Sequence, residues 1–301
     1  MSTFLLEIGT EELPADFARL ALPQLEQAVK RDLSAARLTY DQVETTSTPR
    51  RLVVQVSDLS ESAPDLRDER KGPPAAQAFK DGVPTQAAIG FAKRCGVDPA
   101  ALEVRDTPKG PFVFAEVLEA GRPARELLAE TIPQWIAALQ GRRFMRWGVG
   151  ESRFSRPVRW LVALLGSELI PVTLSGSDPV VQSGQTSRGH RLYSDAVSIP
   201  SADAYAAALA DAGVVVNRSD RASFIRTSVE RSAAALDAVP DLPSDLFEEL
   251  TDLVETPLLI EGSVADDYLA LPAEVLSTVM RAHQRYVPLY RKDADSDPLA
   301  L

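Results

Sequence analysis

The sequence predicts an α+β fold of mainly antiparallel sheets with packed helices, organised as two or more modules. Three observations lead there. Apolar runs at Arg159 to Leu165 and Leu169 to Leu174 are separated only by Gly166-Ser167-Glu168, a link too short for the crossover helix that parallel neighbours need. Segments of helical spacing, such as Phe17, Leu20, Leu22, Leu25, Val29 and Leu33, intervene between strand-like runs. The 301 residues are 45% hydrophobic and 25% charged, enough apolar mass for one large core or two medium ones.

Taken in order, Phe4 to Ile8 reads as a short strand, and Gly9 to Pro14 as a turn whose proline suits a helix start. The amphipathic helix that follows carries Glu26, Lys30, Arg31 and Asp32 on its polar face, and Pro23 is expected to kink or split it. Val43 to Thr46 and Arg51 to Val56 flank Ser47-Thr48-Pro49 as two strands across a turn. From Ser57 the chain is charged and poor in apolar residues, which predicts a linker near 57–74. Two short helices are expected at Ala75 to Lys80 and Thr85 to Arg94, around the turn Asp81 to Pro84, with Gly96 capping the second. A strand at Phe112 to Leu118 precedes a helix opened by Pro123 and stopped by Gly141. Residues 1–141 are therefore read as an N-terminal α+β module and 142–301 as a second.

In the second module, Gly184 to Arg191 reads as a loop or strand edge. A helix from Ser201 ends at Gly213, Val214 to Val216 forms a strand, and Arg218 to Leu236 a helix capped by Ser219 or Asn217. That last helix bears Arg218, Arg221, Arg226 and Arg231 beside Asp220 and Glu230, the pattern of a solvated face. Helices near Ser244 to Val254 and Pro272 to His283, with strands at Leu258 to Ile260 and Tyr286 to Tyr290, complete the series. Arg291 to Leu301 is polar and carries no docking signal, so it reads as an exposed loop in a fragment of something longer.

Composition narrows the chemistry. A formal charge of −11, from 43 acidic and 32 basic side chains, makes the surface as a whole repel polyanions, so nucleic-acid contact needs a local basic cluster. The single cysteine, Cys95, cannot form an intramolecular disulfide, which fits a reducing, cytoplasmic compartment. Glu7 interrupts the only apolar run near the start, and no stretch reaches the length of a membrane span. Two histidines and one cysteine cannot supply a zinc site of the usual kind, so no metal site is expected. Neither GxxxxGK[ST] nor GxGxxG is present, and GxSxG is missing too, so no catalytic residue is assigned.

One segment stands apart. Between 142 and 159 lie six arginines, Arg142, Arg143, Arg146, Arg153, Arg156 and Arg159, against the single acid Glu151, interleaved with Phe144, Trp147 and Phe154 and followed by Trp160. Guanidinium groups grip phosphates bidentately and aromatic rings stack on bases, so this is the leading RNA-binding candidate. The same residues also suit cation–π and carboxylate pairing inside a fold or at a subunit interface. Secondary basic candidates are Arg50 and Arg51 in one turn, and Arg188, His190 and Arg191 in a glycine-bearing segment; solvated turns are the plainer reading of both.

A set of blocks carries a family resemblance. Leu5-Leu6-Glu7-Ile8-Gly9-Thr10-Glu11-Glu12-Leu13-Pro14, Thr48-Pro49-Arg50-Arg51-Leu52, Lys71-Gly72-Pro73, Gly90-Phe91-Ala92, Met145-Arg146-Trp147-Gly148, Phe154-Ser155-Arg156-Pro157-Val158-Arg159-Trp160, Gly189-His190-Arg191, and Leu271 to Leu276 with Met280, His283 and Gln284 occur in this order. Together they resemble the β subunit of the bacterial two-subunit glycyl-tRNA synthetase. The departure is Val287 in Tyr286-Val287-Pro288, where the family pattern has an aromatic. The resemblance spans essentially the whole chain but less than half of the family's subunit, from its N-terminus.

The resemblance implies a division of labour. The α subunit carries the class II catalytic core and uses ATP and Mg²⁺ to activate glycine; the β subunit recognises tRNA-Gly and completes an α2β2 assembly. This chain would then hold no cofactor, lack activity alone, and contribute tRNA recognition and α-subunit assembly. Two alternatives stay open: a scaffold for the α subunit without RNA contact, and a tRNA-editing hydrolase module, for which no residue here can be assigned.

Overall fold

The first strand, β1 (Ser2–Thr10), extends the predicted run at both ends in a computed structural model that describes residues 1–80 and 82–292. Asp81 of the expected 81–84 turn and residues 293–301 of the expected polar tail lie outside the described residues. Helix α1 (Ala15–Ala35) follows and is continuous through Pro23. Pro23 sits on the exposed side, where water solvates the carbonyl that proline leaves unpaired. Strands β2 (Val43–Thr48) and β3 (Arg51–Leu59) form the predicted hairpin.

Contacts divide the chain into two units, one comprising Met1–Ala35, Thr39–Ser60 and the described residues from Arg125 on, the other Ala36–Leu38 and Glu61–Ala124. The boundary expected between 141 and 142 thus falls inside the first unit. The expected linker near 57–74 holds the end of β3 and a strand, β4 (Leu66–Pro74), which opens the second unit. Its sequence misleads because LRDERK is exposed and lacks apolar alternation; the strand is held by backbone pairing with β8 along Leu66 to Pro74, with Arg67 also reaching Glu116 diagonally at 3.5 Å.

Within the second unit α2 (Ala75–Ala78), β5 (Phe79–Lys80) and β6 (Val83–Pro84) replace the first of the two expected helices with a single turn and a hairpin. Helix α3 (Gln86–Cys95) ends on Gly96 in the left-handed region, as predicted. Strands β7 (Glu103–Thr107), not foreseen, and β8 (Gly110–Glu119) join β4 in the order β4-β8-β7. Phe91, Ala92 and Cys95 bury against Val113 and Ala115, so Cys95 packs as a small hydrophobe.

The chain returns to the first unit through α4 (Ala124–Ala138) and β9 (Val158–Leu165). Short strands β10 (Glu168–Leu169), β11 (Thr173–Leu174) and β12 (Val181–Gly184) complete the main sheet, ordered β11-β12-β9-β1-β3-β2 with β10 beside β9. Its pairings are antiparallel except β12 with β9. Outside it lie the hairpin of β13 (Thr186–Arg188) and β14 (Ala196–Ser198), then α5 (Tyr205–Asp211) and α6 (Arg218–Ala235). After β15 (Ala238–Pro240) come α7 (Ser244–Leu253), α8 (Asp266–Leu269), α9 (Ala273–Thr278), a π-helical turn at Val279–Gln284 and β16 (Leu289–Arg291), which pairs with β15. Val214 to Val216 and Leu258 to Ile260, expected as strands, belong to no sheet. The first serves instead as a row of backbone partners described below, and Leu258 and Ile260 are exposed.

Strand β1 is buried on both faces from Phe4 to Thr10. α1 buries Phe17, Ala21, Leu25, Val29 and Leu33, and Trp135 of α4 meets Phe4 edge-on, donating from Nε1 to Asp32 at 2.7 Å. Leu5, Val53, Trp160, Val162 and Leu164 form a second cluster with Val197, Ile199, Tyr205, Leu209 and Val214. Period-two alternation places Leu5, Glu7 and Gly9 on one face of β1, and register sets Gly9 opposite both Arg51 and Trp160. The Trp160 indole lies across Gly9, where a Cβ would fall 1.8 Å from the ring. A methyl there must displace a packed indole, and overpacking of this kind costs about 1–3 kcal/mol. Gly9→Ala is therefore expected to lower the urea midpoint by that equivalent without changing the slope of the unfolding transition.

Candidate nucleic-acid interface

The arginine segment begins where α4 ends. Gly141 permits the turn, since a Cβ there would meet the rings of Phe144 and Phe17 at 2.6 and 2.8 Å. Met145 and Phe154 then pair across a loop, Met145 N–H donating to the Phe154 carbonyl at 2.9 Å and Phe154 N–H to the Met145 carbonyl at 3.2 Å. The loop tip is fastened to 176–178. Ser152 N–H donates to the Gly176 carbonyl and Val149 N–H to Asp178 Oδ2, both at 2.8 Å, and Gly148, at φ +58°, lies against the Asp178 carboxylate where any Cβ would collide.

Aromatic and basic residues part company along this segment. Phe144 and Phe154 pack on Phe17 with centroids 5.9 and 5.4 Å away, and Phe154 and Trp160 are buried. The predicted interleaving of stacking platforms with cations is thus largely an alternation of core and surface, with Trp147 and Phe144 half-buried. Arg142, Arg143, Arg146, Arg153 and Arg159 are exposed and Arg156 half-buried. Arg142 reaches Asp16 at 3.3 Å, Arg146 Glu151 at 3.2 Å and Arg159 Glu11 at 2.7 Å, while Arg156 donates to the Ser155 carbonyl. Among the described residues no ion pair engages Arg143 or Arg153. Exposed pairs of this sort contribute about 0–1 kcal/mol each, so a phosphate displaces such a carboxylate at small cost.

The secondary basic candidates converge from separate parts of the chain. Arg188 and Arg191 are exposed, His190 is half-buried and stacks on Tyr193, and Arg191 pairs with Glu12 at 2.9 Å. Arg50 and Arg51 do not form the solvated turn expected of them. Arg50 is 9% exposed and Arg51 fully buried, because Arg51 extends from β3 on the same face as Glu7 of the neighbouring strand. Arg51 donates from Nη1 to Glu7 Oε1 and Ser187 Oγ at 3.2 Å each, from Nη2 to Glu255 Oε1 at 2.9 Å and from Nε to Thr48 Oγ1 at 3.2 Å. Glu7 Oε1 also accepts from Trp160 Nε1 and Ser187 Oγ at 2.7 Å. Burial works against the Arg51 charge, yet the carboxylates of Glu7 and Glu255 together with Tyr205 outweigh it, and the guanidinium is held more firmly protonated than usual. Burial likewise drives the Tyr205 hydroxyl well above its ordinary range, with Glu7 adding to the effect.

Arg221 is a second correction. Read as part of a solvated face, it is fully buried and donates to the carbonyls of Ser47, Val215, Val216 and Thr251. Burial brings it down to about 10, still protonated at neutral pH. Asn217 precedes this helix without a side-chain capping bond. Glu255 and Thr251, which with Arg221 knit the C-terminal half to the β2–β3 turn, carry no signal in the sequence. Their role emerges only from the partners supplied by other elements.

The fold and these surfaces define an α+β protein whose polar chemistry is dominated by guanidinium groups, some locked in the core and some facing solvent; among the described residues no helix is long and apolar enough to cross a membrane. Residues 4–299 match the glycyl-tRNA synthetase beta subunit family, and the chain belongs to it. It is 45% identical over 294 residues to the glycine–tRNA ligase beta subunit of Synechocystis, covering 97% of this chain and 41% of that protein. The corresponding subunit of Acaryochloris marina is 45% identical over 290 residues, 96% of this chain and 41% of that protein, and that of Trichlorobacter lovleyi is 41% identical over 288 residues, 94% and 41%. The chain thus spans about two fifths of the length of these relatives.

Removing Arg51 leaves Glu7 and Glu255 buried without their cation, a class of change that costs about 3–5 kcal/mol. Arg51→Met is expected to reduce unfolding free energy by that amount in chemical denaturation. Arg51→Lys should recover little of it, because an ammonium cannot reproduce a fork that reaches Thr48, Glu7, Ser187 and Glu255 together.

Proposed function

We propose that this chain serves a two-subunit glycine–tRNA ligase as an RNA-contacting and subunit-docking part of its β subunit, in the cytoplasm, with ATP and Mg²⁺ handled by the α subunit. The observation that carries the reading is the exposed arginine segment 142–159 on a body of net charge −11, in a chain that belongs to this family. Guanidinium groups held on a fastened loop meet phosphates at low entropic cost, since the backbone is already ordered. Recognition of tRNA-Gly and an α2β2 assembly follow from the same reading, as does lack of aminoacylation by this chain alone.

RNA contact through phosphates releases counterions, so log affinity should fall steeply with log salt concentration, by about 0.7–0.9 per phosphate neutralised. Substituting Arg142, Arg143 and Arg146 by alanine in the intact α and β pair should weaken tRNA binding and flatten that slope by roughly 2 to 3. Unchanged affinity and slope in filter-binding titrations remove the RNA role.

A docking role has its own support. Val149 at the loop tip is 91% exposed and Met145 42% exposed, apolar surface beside arginines of the kind that interface centres use. Val149→Asp is expected to reduce co-purification of the α subunit while leaving the thermal midpoint of the isolated chain unchanged. Retained assembly together with an unaltered tRNA affinity would count against placing the partner there.

A further inference from the structure

A cavity of about 620 Å³ brings Arg50, Arg188 and Arg191 to one place, with Trp160, Ser187 and Gly189 in its wall. More than 130 residues of sequence separate Arg50 from Arg188 and Arg191; the pairing of β13 with β14 and the β2–β3 turn bring them together. The Trp160 indole organises two of them, the guanidinium carbons of Arg188 and Arg50 lying 5.0 and 5.6 Å from its centroid. The acid in the wall is Asp195; outside the lining, Glu12 pairs with Arg191 at 2.9 Å and Glu255 stands 4.0 Å from Arg50.

Arg50 is the informative member. It is nine-tenths buried, yet its Nε has no hydrogen-bond acceptor, its Nη1 reaches the Gly189 carbonyl only at 3.4 Å, and Glu255 Oε2 stands 4.0 Å away. A buried guanidinium with an unanswered N–H is costly, because a charged donor loses water and receives nothing in return. Its neighbours deepen the cost. Burial first, then the positive charges of Arg51, Arg191 and Arg188, lower the Arg50 pKa against the pull of Glu255. An anion carrying several acceptor oxygens relieves both deficits at once, supplying an acceptor for Nε and a negative charge among converging cations.

We propose that this cavity is a phosphate-binding site, in which the guanidinium groups of Arg50, Arg188 and Arg191 hold the oxygens of a phosphate ester beside Trp160. A planar carboxylate answers one fork; a tetrahedral phosphate presents oxygens in more than one direction and suits three guanidiniums. The volume lies within the usual range for small-molecule sites and leaves room beside the phosphate for the group it esterifies. The phosphate comes either from a free nucleotide or from an RNA strand. The inference goes beyond the reading of the 142–159 segment and does not depend on it.

The probe is inorganic pyrophosphate, titrated calorimetrically into the full chain at low ionic strength. Saturable binding is expected, weakened at least tenfold in Arg188→Gln, whose exposed side chain can be removed without unfolding the protein, and in Arg50→Gln, with the urea midpoint of each variant recorded. The Arg142, Arg143 and Arg146 alanine variant should bind pyrophosphate as the parent does, which separates this site from the RNA-contacting segment. Displacement by a nucleoside 5′-monophosphate but not by a short RNA lacking terminal phosphates assigns the site to free nucleotides, and displacement by that RNA assigns it to the backbone of a strand. Absence of saturable pyrophosphate binding, or binding undiminished in folded Arg188→Gln, overturns the proposal.

Discussion

A carboxylate in the middle of a strand buried on both faces needs a cation, and the ion pair of Glu7 with Arg51, a guanidinium it shares with Glu255, answers that need. Glu7 lies fully buried between Leu6 and Ile8, where an uncompensated charge would be prohibitive. Its partners come from distant parts of the chain, Arg51 from the hairpin, Trp160 from β9 and Ser187 from β13, and Arg51 is bound in turn by Thr48 of the hairpin and by Glu255 from the turn after α7, which also bond each other. A buried ion pair of this kind is weak evidence for added stability, since desolvation offsets most of its attraction. Its stronger consequence concerns register. Sliding β1 by one residue would turn Glu7 toward the opposite face and strand the charge there, so the network selects one alignment of β1 with β3 and β9.

The limits of reading this fold from sequence follow from the same chemistry. Elements with a single periodicity were legible: α1, α3, α4, the β2–β3 hairpin and the β9 run all stand where their spacing places them. What failed was anything whose partner comes from elsewhere. β4 is a strand because its backbone pairs with β8, from Leu66 opposite Glu119 to Pro74 opposite Phe112, and no local pattern of LRDERK announces that. Val214 to Val216 has the composition of a strand, but its carbonyls are taken by Arg221 rather than by a sheet. The arginine segment was visible as charge; its aromatic partners were misjudged, because Phe144 and Phe154 look the same in sequence whether they stack on a base or on Phe17. Arg50, Arg51 and Arg221 were read as surface residues on the sound general ground that arginine is seldom buried unpaired, and the pairing that overrides it lies as far away as residue 255.

Burial therefore sorts arginines that composition treats as equal. Arg51 and Arg221 have their donors occupied by protein acceptors and make no offer to a ligand. Arg142, Arg146, Arg159 and Arg191 are held by exposed carboxylates that water and salt already weaken. Those pairs keep the side chains extended over an acidic body rather than folded onto it at random, and they release readily to a stronger anion. A net-acidic chain with several of its exposed cations already paired limits non-specific adhesion to polyanions.

Trp160 links the two regimes. Its Nε1–H is committed to Glu7 at 2.7 Å, and Gly9 leaves the space its ring occupies, so the indole is fixed by the core. The electron-rich ring then draws in the guanidiniums of Arg50 and Arg188, each such contact contributing about 0.5–2 kcal/mol according to how dry it is. Three cations would otherwise repel one another out of the cavity, Arg191 being tethered there by Glu12. Their convergence is thus prepared by the cavity's own indole, which the buried carboxylate holds in place. A glycine in the first strand, by making room for one indole, sets where positive charge gathers on that face of the sheet.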